Sequence, residues 1–358
     1  MKKILFASYS LDLGGIETAL ITLLKHLAPK YEITLVLERK QGIFLDQVPD
    51  NVNIITYTAS DCKIKILRKF INLIKQIKFK IKYKNNFDFS ASFATYSFPC
   101  SFIARNASKN SALWVHNNYM NFYGEDIIQY RLFFSRLKAE SFNKIVFVSD
   151  YDRKTFIGQF PECAKKAIEC NNLIDYKSII NKSEDKVDDF IKTRKTTFIN
   201  IGRHDEKQKR LSRIIQATEK LNKEGYKFRV VFVGKGSDTR IYKEASKKIK
   251  NIIFLGAKKN PYPYLKMSDC FLLSSQFEGY PVVFVESQIL GKPIVTTEVS
   301  DSKKDIDGKY GIVVENSEEG VYKGMKEFLD KGFTPIEFSP EDFNKKILEK
   351  LDRIIQNK

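Results

Sequence analysis

Short apolar runs alternate with amphipathic segments along the whole chain, and the alternation starts over near its middle. Residues 3–7, 33–37, 52–57, 111–115, 144–148, 196–201, 228–233, 252–255, 270–273 and 293–296 read as strands. Between them, segments such as 17–27 carry apolar residues at helical spacing. Short, nearly all-apolar strands separated by helices imply parallel sheets covered on both faces. Residues 171–175 read as closing a first set of strands, 176–194 are polar and charged, and 196–203 open a second set. At 358 residues the chain is long for one compact core and comfortable for two. The expected fold class is therefore α/β: a Rossmann-like domain over 1–175, a second over 176–339, and a closing amphipathic helix over 340–358. Ligands in such folds bind beyond the carboxyl ends of the strands, so with two domains facing each other the expected site is the cleft between them.

Composition narrows the function. Hydrophobic residues make up 43% of the chain and charged residues 29%, ordinary values for a globular protein. The five cysteines are an odd number with no C-x-x-C pair, so neither a disulfide framework nor a zinc site is legible. No apolar run approaches the ~18 residues that a membrane span needs. The apolar stretch at the start ends after four residues at Ser-Tyr-Ser, which suits a buried first strand better than a leader, so a cytoplasmic protein is expected. The net charge of +18 raises nucleic acid as a partner, but no basic–aromatic recognition motif accompanies it. Anionic substrates or lipid explain the charge better. Residues 63–84 hold nine Lys or Arg and no acid, with Ile64, Leu67, Ile71, Ile74, Ile77 and Ile81 at helical spacing. Two readings stand for this segment: an interfacial helix on an anionic membrane surface, or a surface helix packed on the core. Its end, 78–84, alternates strictly and also suits a strand.

The densest chemistry lies at 274–287, Ser-Ser-Gln-Phe-Glu-Gly-Tyr-Pro-Val-Val-Phe-Val-Glu-Ser. Glu278 sits where a strand gives way to a turn through Gly279 and Tyr280, and Pro281 suits a helix start. Backbone N–H groups at such a turn can hold an anion. Glu286 follows about two helical turns on, an arc of ~10 Å at ~1.5 Å per residue. A sugar nucleotide has that anatomy, with hydroxyls at each end and a diphosphate between. Either glutamate alone is more simply a dipole partner or a solvated helix face. The whole string resembles the donor-site motif of the family 4 retaining glycosyltransferases, which have the GT-B fold. The resemblance implies that Glu278 contacts the donor sugar and Glu286 the ribose hydroxyls. It covers nearly the whole chain, most strongly 196–297, and implies that the closing helix 340–358 crosses back onto the first domain.

Other segments gain meaning from that resemblance. Gly14-Gly15 lies between the first strand and first helix, where glycine lets a ligand approach the backbone. No G-x-G-x-x-G is present, so the dinucleotide fingerprint is absent. The resemblance makes Gly15 part of a loop facing the donor phosphate and the acceptor. Arg203 and a downstream lysine at a helix start could clamp a diphosphate. In the resembled family that lysine lies five residues after the arginine, where this chain has Gln208. Alignment through Gln208 and the following helix makes Lys209 the phosphate lysine, with Lys207 its competitor. His116, just past a strand, would otherwise be read as structural; the resemblance implies a sugar and transition-state contact. Gly234 and Lys258 end two further strands and resemble residues lining the nucleotide pocket. Asp150-Tyr151-Asp152 has the form of a metal motif, but it begins a helix, where aspartate is a common cap. The resembled fold needs no metal.

The reaction implied is retaining transfer of a hexosyl unit from a nucleotide-diphosphate sugar, a UDP-sugar sooner than a GDP-sugar, without metal or other cofactor. The acceptor implied is a glycan, such as a lipid-linked oligosaccharide of bacterial capsule or other surface polysaccharide. Two other readings stay open: a GT-B sugar-nucleotide epimerase, and a subunit that binds sugar nucleotides without acting on them.

Overall fold

The computed structural model describes every residue except Leu13 and Lys358. The chain divides into two compact units, Met1–Ile174 with Phe343–Lys358, and Asp175–Asp342. The boundary falls one residue before the expected one, and the closing segment joins the first unit at Phe343 rather than at 340.

The first unit is built on seven parallel strands: β1 (Lys3–Ser8), β2 (Glu32–Leu37), β3 (Asn53–Thr56), β4 (Phe89–Ser92), β5 (Ser111–Val115), β6 (Lys144–Phe147) and β7 (Ala167–Glu169). Their order across the sheet is β3-β2-β1-β4-β5-β6-β7. Its helices are α1 (Gly15–Leu27), α2 (Lys65–Tyr83), α3 (Phe98–Ala107), α4 (Tyr119–Phe122), α5 (Ile127–Leu137) and α6 (Asp150–Gln159). The second unit has six strands, β8 (Thr196–Ile201), β9 (Phe228–Val233), β10 (Ile252–Gly256), β11 (Cys270–Leu273), β12 (Ile294–Thr297) and β13 (Gly311–Val314). They run in the order β10-β9-β8-β11-β12-β13. Helices α7 (Tyr176–Ser183), α8 (Leu211–Lys223), α9 (Thr239–Ala245), α10 (Tyr262–Met267), α11 (Val282–Ile289), α12 (Ser302–Asp305) and α13 (Glu318–Lys331) belong to it, and α14 (Pro340–Gln356) closes the chain.

Burial on both faces explains the apolar strands. In the first unit, Ile4, Phe6 and Trp114 point to the side covered by α1 and α14, where Ile347, Leu351 and Ile354 of α14 complete the core. Leu5 and Ala7 point to the opposite side, under α2 and α3. In the second unit Phe198, Phe232 and Leu272 pack under α8 and α13, and Ile199, Val231 and Leu273 under α10 and α11.

Three strands escape the sequence pattern. β4 reads Phe-Ser-Ala-Ser, yet Ser90 and Ser92 are fully buried. The Ser90 hydroxyl is satisfied by donating to the Ala104 carbonyl at 2.5 Å, which makes a polar residue acceptable in the sheet. β7 is three residues long, and β13 opens with a glycine. Conversely, 171–175 is not a strand, and 78–84 continues α2 up to Tyr83 rather than forming one. The polar stretch 176–194 is not a plain linker: it contains α7, and Phe190 is buried against Tyr264 and the Arg229 guanidinium.

Candidate functional site

In each sheet the strand order reverses once, between β1 and β4 in the first unit and between β8 and β11 in the second. Loops leaving adjacent strands at such a switch point diverge and open a crevice. In the second unit those two loops carry Arg203 to Lys209 and Ser274 to Pro281, so sequentially distant residues meet there.

Their meeting is enforced by the backbone. Asp205 accepts hydrogen bonds from the Gln208 N–H through its carboxylate (3.1 Å) and the Lys209 N–H through its carbonyl (2.7 Å), which winds the loop. The Gln276 N–H then donates to the Gln208 carbonyl at 2.7 Å, and the Ser274 hydroxyl to the Lys209 carbonyl at 2.9 Å. Arg210 takes left-handed dihedrals as it caps α8. These ties aim the Lys209 ammonium at Glu278, with Nζ 2.6 Å from Oε1. Ser275 Oγ donates to the same oxygen at 2.6 Å. Gln208 Nε2 lies 3.2 Å from Oε2, while its side-chain oxygen Oε1 accepts from Arg203 at 3.0 Å. Arg203, Gln208, Lys209, Ser275 and Glu278 thus form one connected polar set. Glu278 is only 7% exposed, and a carboxylate so buried must be paired and hydrogen-bonded.

Lys209 enters this set through its ion pair with Glu278, and Lys207 is exposed. Gln208, which stands where the resembled family has its lysine, bridges Arg203 to Glu278. Arg213 supports the arrangement from α8, donating to Ser274, Gln276 and Asn316 and so fixing the loop after β11. Neither Ser275 nor Arg213 was singled out from sequence. Their signal was weak, because a serine beside a strand end and an arginine on a helix are ordinary residues.

Gly279, Tyr280 and Pro281 lead from Glu278 into α11. The Gly279 carbonyl accepts from the Ser300 hydroxyl, and Pro281 is the residue before the helix rather than part of its first turn. Glu286 lies on α11, 8% exposed, and accepts one hydrogen bond from the Tyr262 hydroxyl at 3.1 Å. Burial pushes its carboxyl up to about 7, and the Tyr262 hydrogen bond offsets that only in part.

Two expected pocket residues have structural contacts of their own. Gly234 has φ +151°, and a Cβ there would lie 1.8 Å from the Gly202 carbonyl oxygen. Glycine is required because the β8 and β9 loops touch backbone to backbone. Lys258 is paired with Asp189, whose other oxygen accepts from the Tyr264 hydroxyl at 2.7 Å. It therefore ties down the segment before β8 and is not brought into the Glu278 set.

The first unit carries its own candidates. Gly15 opens α1 with empty space where a Cβ would go, whereas a Cβ on Gly14 would strike the Glu17 carboxylate at 2.2 Å. His116 follows β5 with its ring against Phe93, centroids 4.5 Å apart. Both ring nitrogens are buried without a well-formed hydrogen bond. Burial takes its pKa down to about 3, against a smaller upward pull from the Phe93 backbone. The ring is neutral at pH 7, offering one donor and one acceptor to a ligand. Nearby in sequence, a cavity of about 470 Å³ is lined by Tyr96, Phe98, Tyr119, Phe122, Phe133 and Arg136. Sequence reading passed over these residues because aromatics near a strand end look like core.

Asp150 and Asp152 behave as helix-start residues. Ser149 caps α6 and Asp152 answers its hydroxyl at 2.9 Å, while Asp150 pairs with Arg153 and Lys154. The cap itself is the serine, not the expected aspartate.

Two parallel-sheet α/β units, with a carboxylate–cation set at the switch point of the second, define the GT-B fold class. Residues 195–355 match the model of the family described as glycosyl transferases group 1. An uncharacterized glycosyltransferase of Methanocaldococcus jannaschii is 25% identical over 244 residues, a match spanning 60% of this chain and 58% of that protein. Among solved structures, Anabaena HepE in complex with UDP and glucose superposes with a TM-score of 0.72 at 15% identity, covering 98% of this chain and all of the other. S. aureus TarM, in complex with UDP and α-GlcNAc-glycerol among other ligands, gives 0.76 at 14% identity over 99% of this chain and all of TarM. At these identities the structural likeness carries the fold.

Proposed function

We propose that the chain is a retaining, metal-independent glycosyltransferase. It takes a hexosyl unit from a nucleotide-diphosphate sugar, a UDP-sugar sooner than a GDP-sugar, and passes it to a glycan. The observation that carries this reading is the meeting of Gln208 and Lys209 on buried Glu278, with Arg203 held alongside by the Gln208 side chain, at the switch point of the family-matched unit. Such a set offers what a sugar diphosphate needs, namely fixed cations for the diphosphate and a fixed carboxylate for sugar hydroxyls.

In this reading the bond from the anomeric carbon to the diphosphate oxygen breaks, and the acceptor oxygen bonds to the same face of that carbon. The acceptor's proton goes to the departing phosphate oxygen. Negative charge grows on the diphosphate as it leaves. Arg203, Lys209 and the N–H groups of Gly279 and Tyr280 stabilise it from preorganised positions. Glu278 orients the sugar and Glu286 the ribose. Neutral His116 gives a hydrogen bond to the sugar; with its pKa near 3 it is too weak a base to take the acceptor's proton. Gly15 leaves room for a ligand at the start of α1. The aromatic faces of the first unit's cavity suit the apolar face of a pyranose, which makes that unit the acceptor's. A lipid-linked oligosaccharide of bacterial surface polysaccharide synthesis, used at the cytoplasmic face of the membrane, fits the basic character of α2.

Arg203→Ala tests the diphosphate clamp. Calorimetric titration should show the variant losing about 10-fold or more in affinity for a UDP-sugar, at about 1.5–3 kcal/mol for a charge-assisted hydrogen bond, with little change for uridine. Equal losses for both ligands would refute the assignment.

A further inference from the structure

Helix α2 packs on the first unit through its less apolar side. Asn72 accepts a hydrogen bond from the Ser60 N–H at 2.7 Å, Lys75 donates to the Thr58 carbonyl at 2.8 Å, and Phe79 with Tyr83 seats the helix on Tyr57 and Phe87. Of its nineteen residues Phe79 alone is fully buried. The opposite side presents Ile66, Phe70, Leu73, Ile77 and Ile81 to solvent, with Ile66 81% and Ile81 82% exposed. Steps of three and four residues put these five on one stripe. Of the stripe expected from the sequence, Ile64, Leu67, Ile74, Ile77 and Ile81 are exposed and Ile71 is half-buried, so α2 is seated on the core through Phe79 while most of its aliphatic side chains face solvent.

What borders the stripe decides its partner. By the same spacing Lys65, Lys69 and Lys80 flank one edge and Lys78 and Lys82 the other. Residues 63–84 hold nine cations and no acid. Among the described residues none of the nine is in an ion pair. A second copy of the chain would bring nine like charges against nine, which disfavours self-association through this face. An apolar stripe edged with unneutralised lysines matches the boundary between acyl chains and anionic headgroups. We infer that α2 is an in-plane anchor that lays Ile66, Phe70, Leu73, Ile77 and Ile81 into a bilayer surface rich in anionic lipid. No helix among the described residues is long and apolar enough to cross a membrane, so contact through α2 is peripheral. The inference rests on the proposed function only for which side of the membrane is used.

The test is flotation of the full-length protein with vesicles of phosphatidylcholine alone or mixed equally with phosphatidylglycerol. Wild type should float with the mixed vesicles only, and high salt should release it. Phe70→Glu with Ile77→Glu should abolish flotation while leaving the circular dichroism spectrum and uridine nucleotide binding unchanged. Lys69→Gln with Lys80→Gln should weaken it about 30-fold, at about 1 kcal/mol per lysine. Absence of flotation, equal flotation with phosphatidylcholine alone, or a dimer in solution that Phe70→Glu dissociates would each overturn the inference. Nucleotide binding, read on the same samples, keeps a failure of the donor site separate from a failure of the anchor.

Discussion

Glu286 makes stability depend on pH in a way that one substitution should remove. Its carboxyl is buried on α11 with one hydrogen bond from Tyr262, and burial raises its pKa from the usual 4.5 to about 7. Between those two values the folded protein keeps a proton that the unfolded chain has lost. The favourable contribution is therefore fully present below 4.5 and is lost as pH rises through about 7. At about 1.36 kcal/mol per pH unit the gap amounts to about 3 kcal/mol. Glu286→Gln keeps the shape, still accepts from Tyr262, and carries no charge to desolvate. Melting the variant and wild type side by side should give nearly equal midpoints at pH 5. At pH 8 the variant should melt roughly 6–12 °C higher, using about 2–4 °C per kcal/mol for a unit of this size. A difference that is the same at both pH values would refute the assignment of a desolvated carboxylate. The same charge is what a ribose diol needs, so the substitution that stabilises the protein should weaken donor binding, a trade expected of functional sites.

Two further substitutions separate structure from chemistry. Gly234→Ala should destabilise by more than about 2 kcal/mol, because the Cβ meets the Gly202 carbonyl and φ is positive; an unchanged melting temperature would show that the loops part easily. Lys209→Ala should cut affinity for a UDP-sugar about 10-fold or more, and Lys207→Ala less than about 2-fold, judged by the worth of a charge-assisted bond; the reverse order in titration would move the phosphate contact to Lys207.

The strands that form both sheets were legible where burial is written in aliphatic residues, as in β1, β9 and β11. They were not legible where a buried hydroxyl finds an internal acceptor, as Ser90 does in β4. Local pattern placed Glu278 at a strand-to-helix turn, but its neighbours are set by topology. Gln208 and Ser275 become partners of one carboxylate only because β8 and β11 are adjacent, which sequence spacing does not encode. Lys258 shows the reverse: it sits at the expected strand end, yet Asp189, in a stretch read as a linker, takes its charge. For α2 the periodicity picked out Ile64, Leu67, Ile71, Ile74, Ile77 and Ile81, whereas the exposed row also takes in Ile66, Phe70 and Leu73 and leaves Ile71 half-buried. The orientation comes from Asn72 and Lys75, whose polar contacts hold the less apolar side inward.

The central claim is that Glu278, held by Lys209, Gln208 and Ser275, orients a donor sugar for transfer. Nucleotide release from a panel of UDP- and GDP-sugars, without added metal and with a membrane glycolipid extract as acceptor, tests it in wild type and Glu278→Ala. The account predicts release from one donor by wild type, and a loss of about 100-fold or more in a variant that remains folded, the scale on which misplacing a reacting group acts. Undiminished release by folded Glu278→Ala would contradict it.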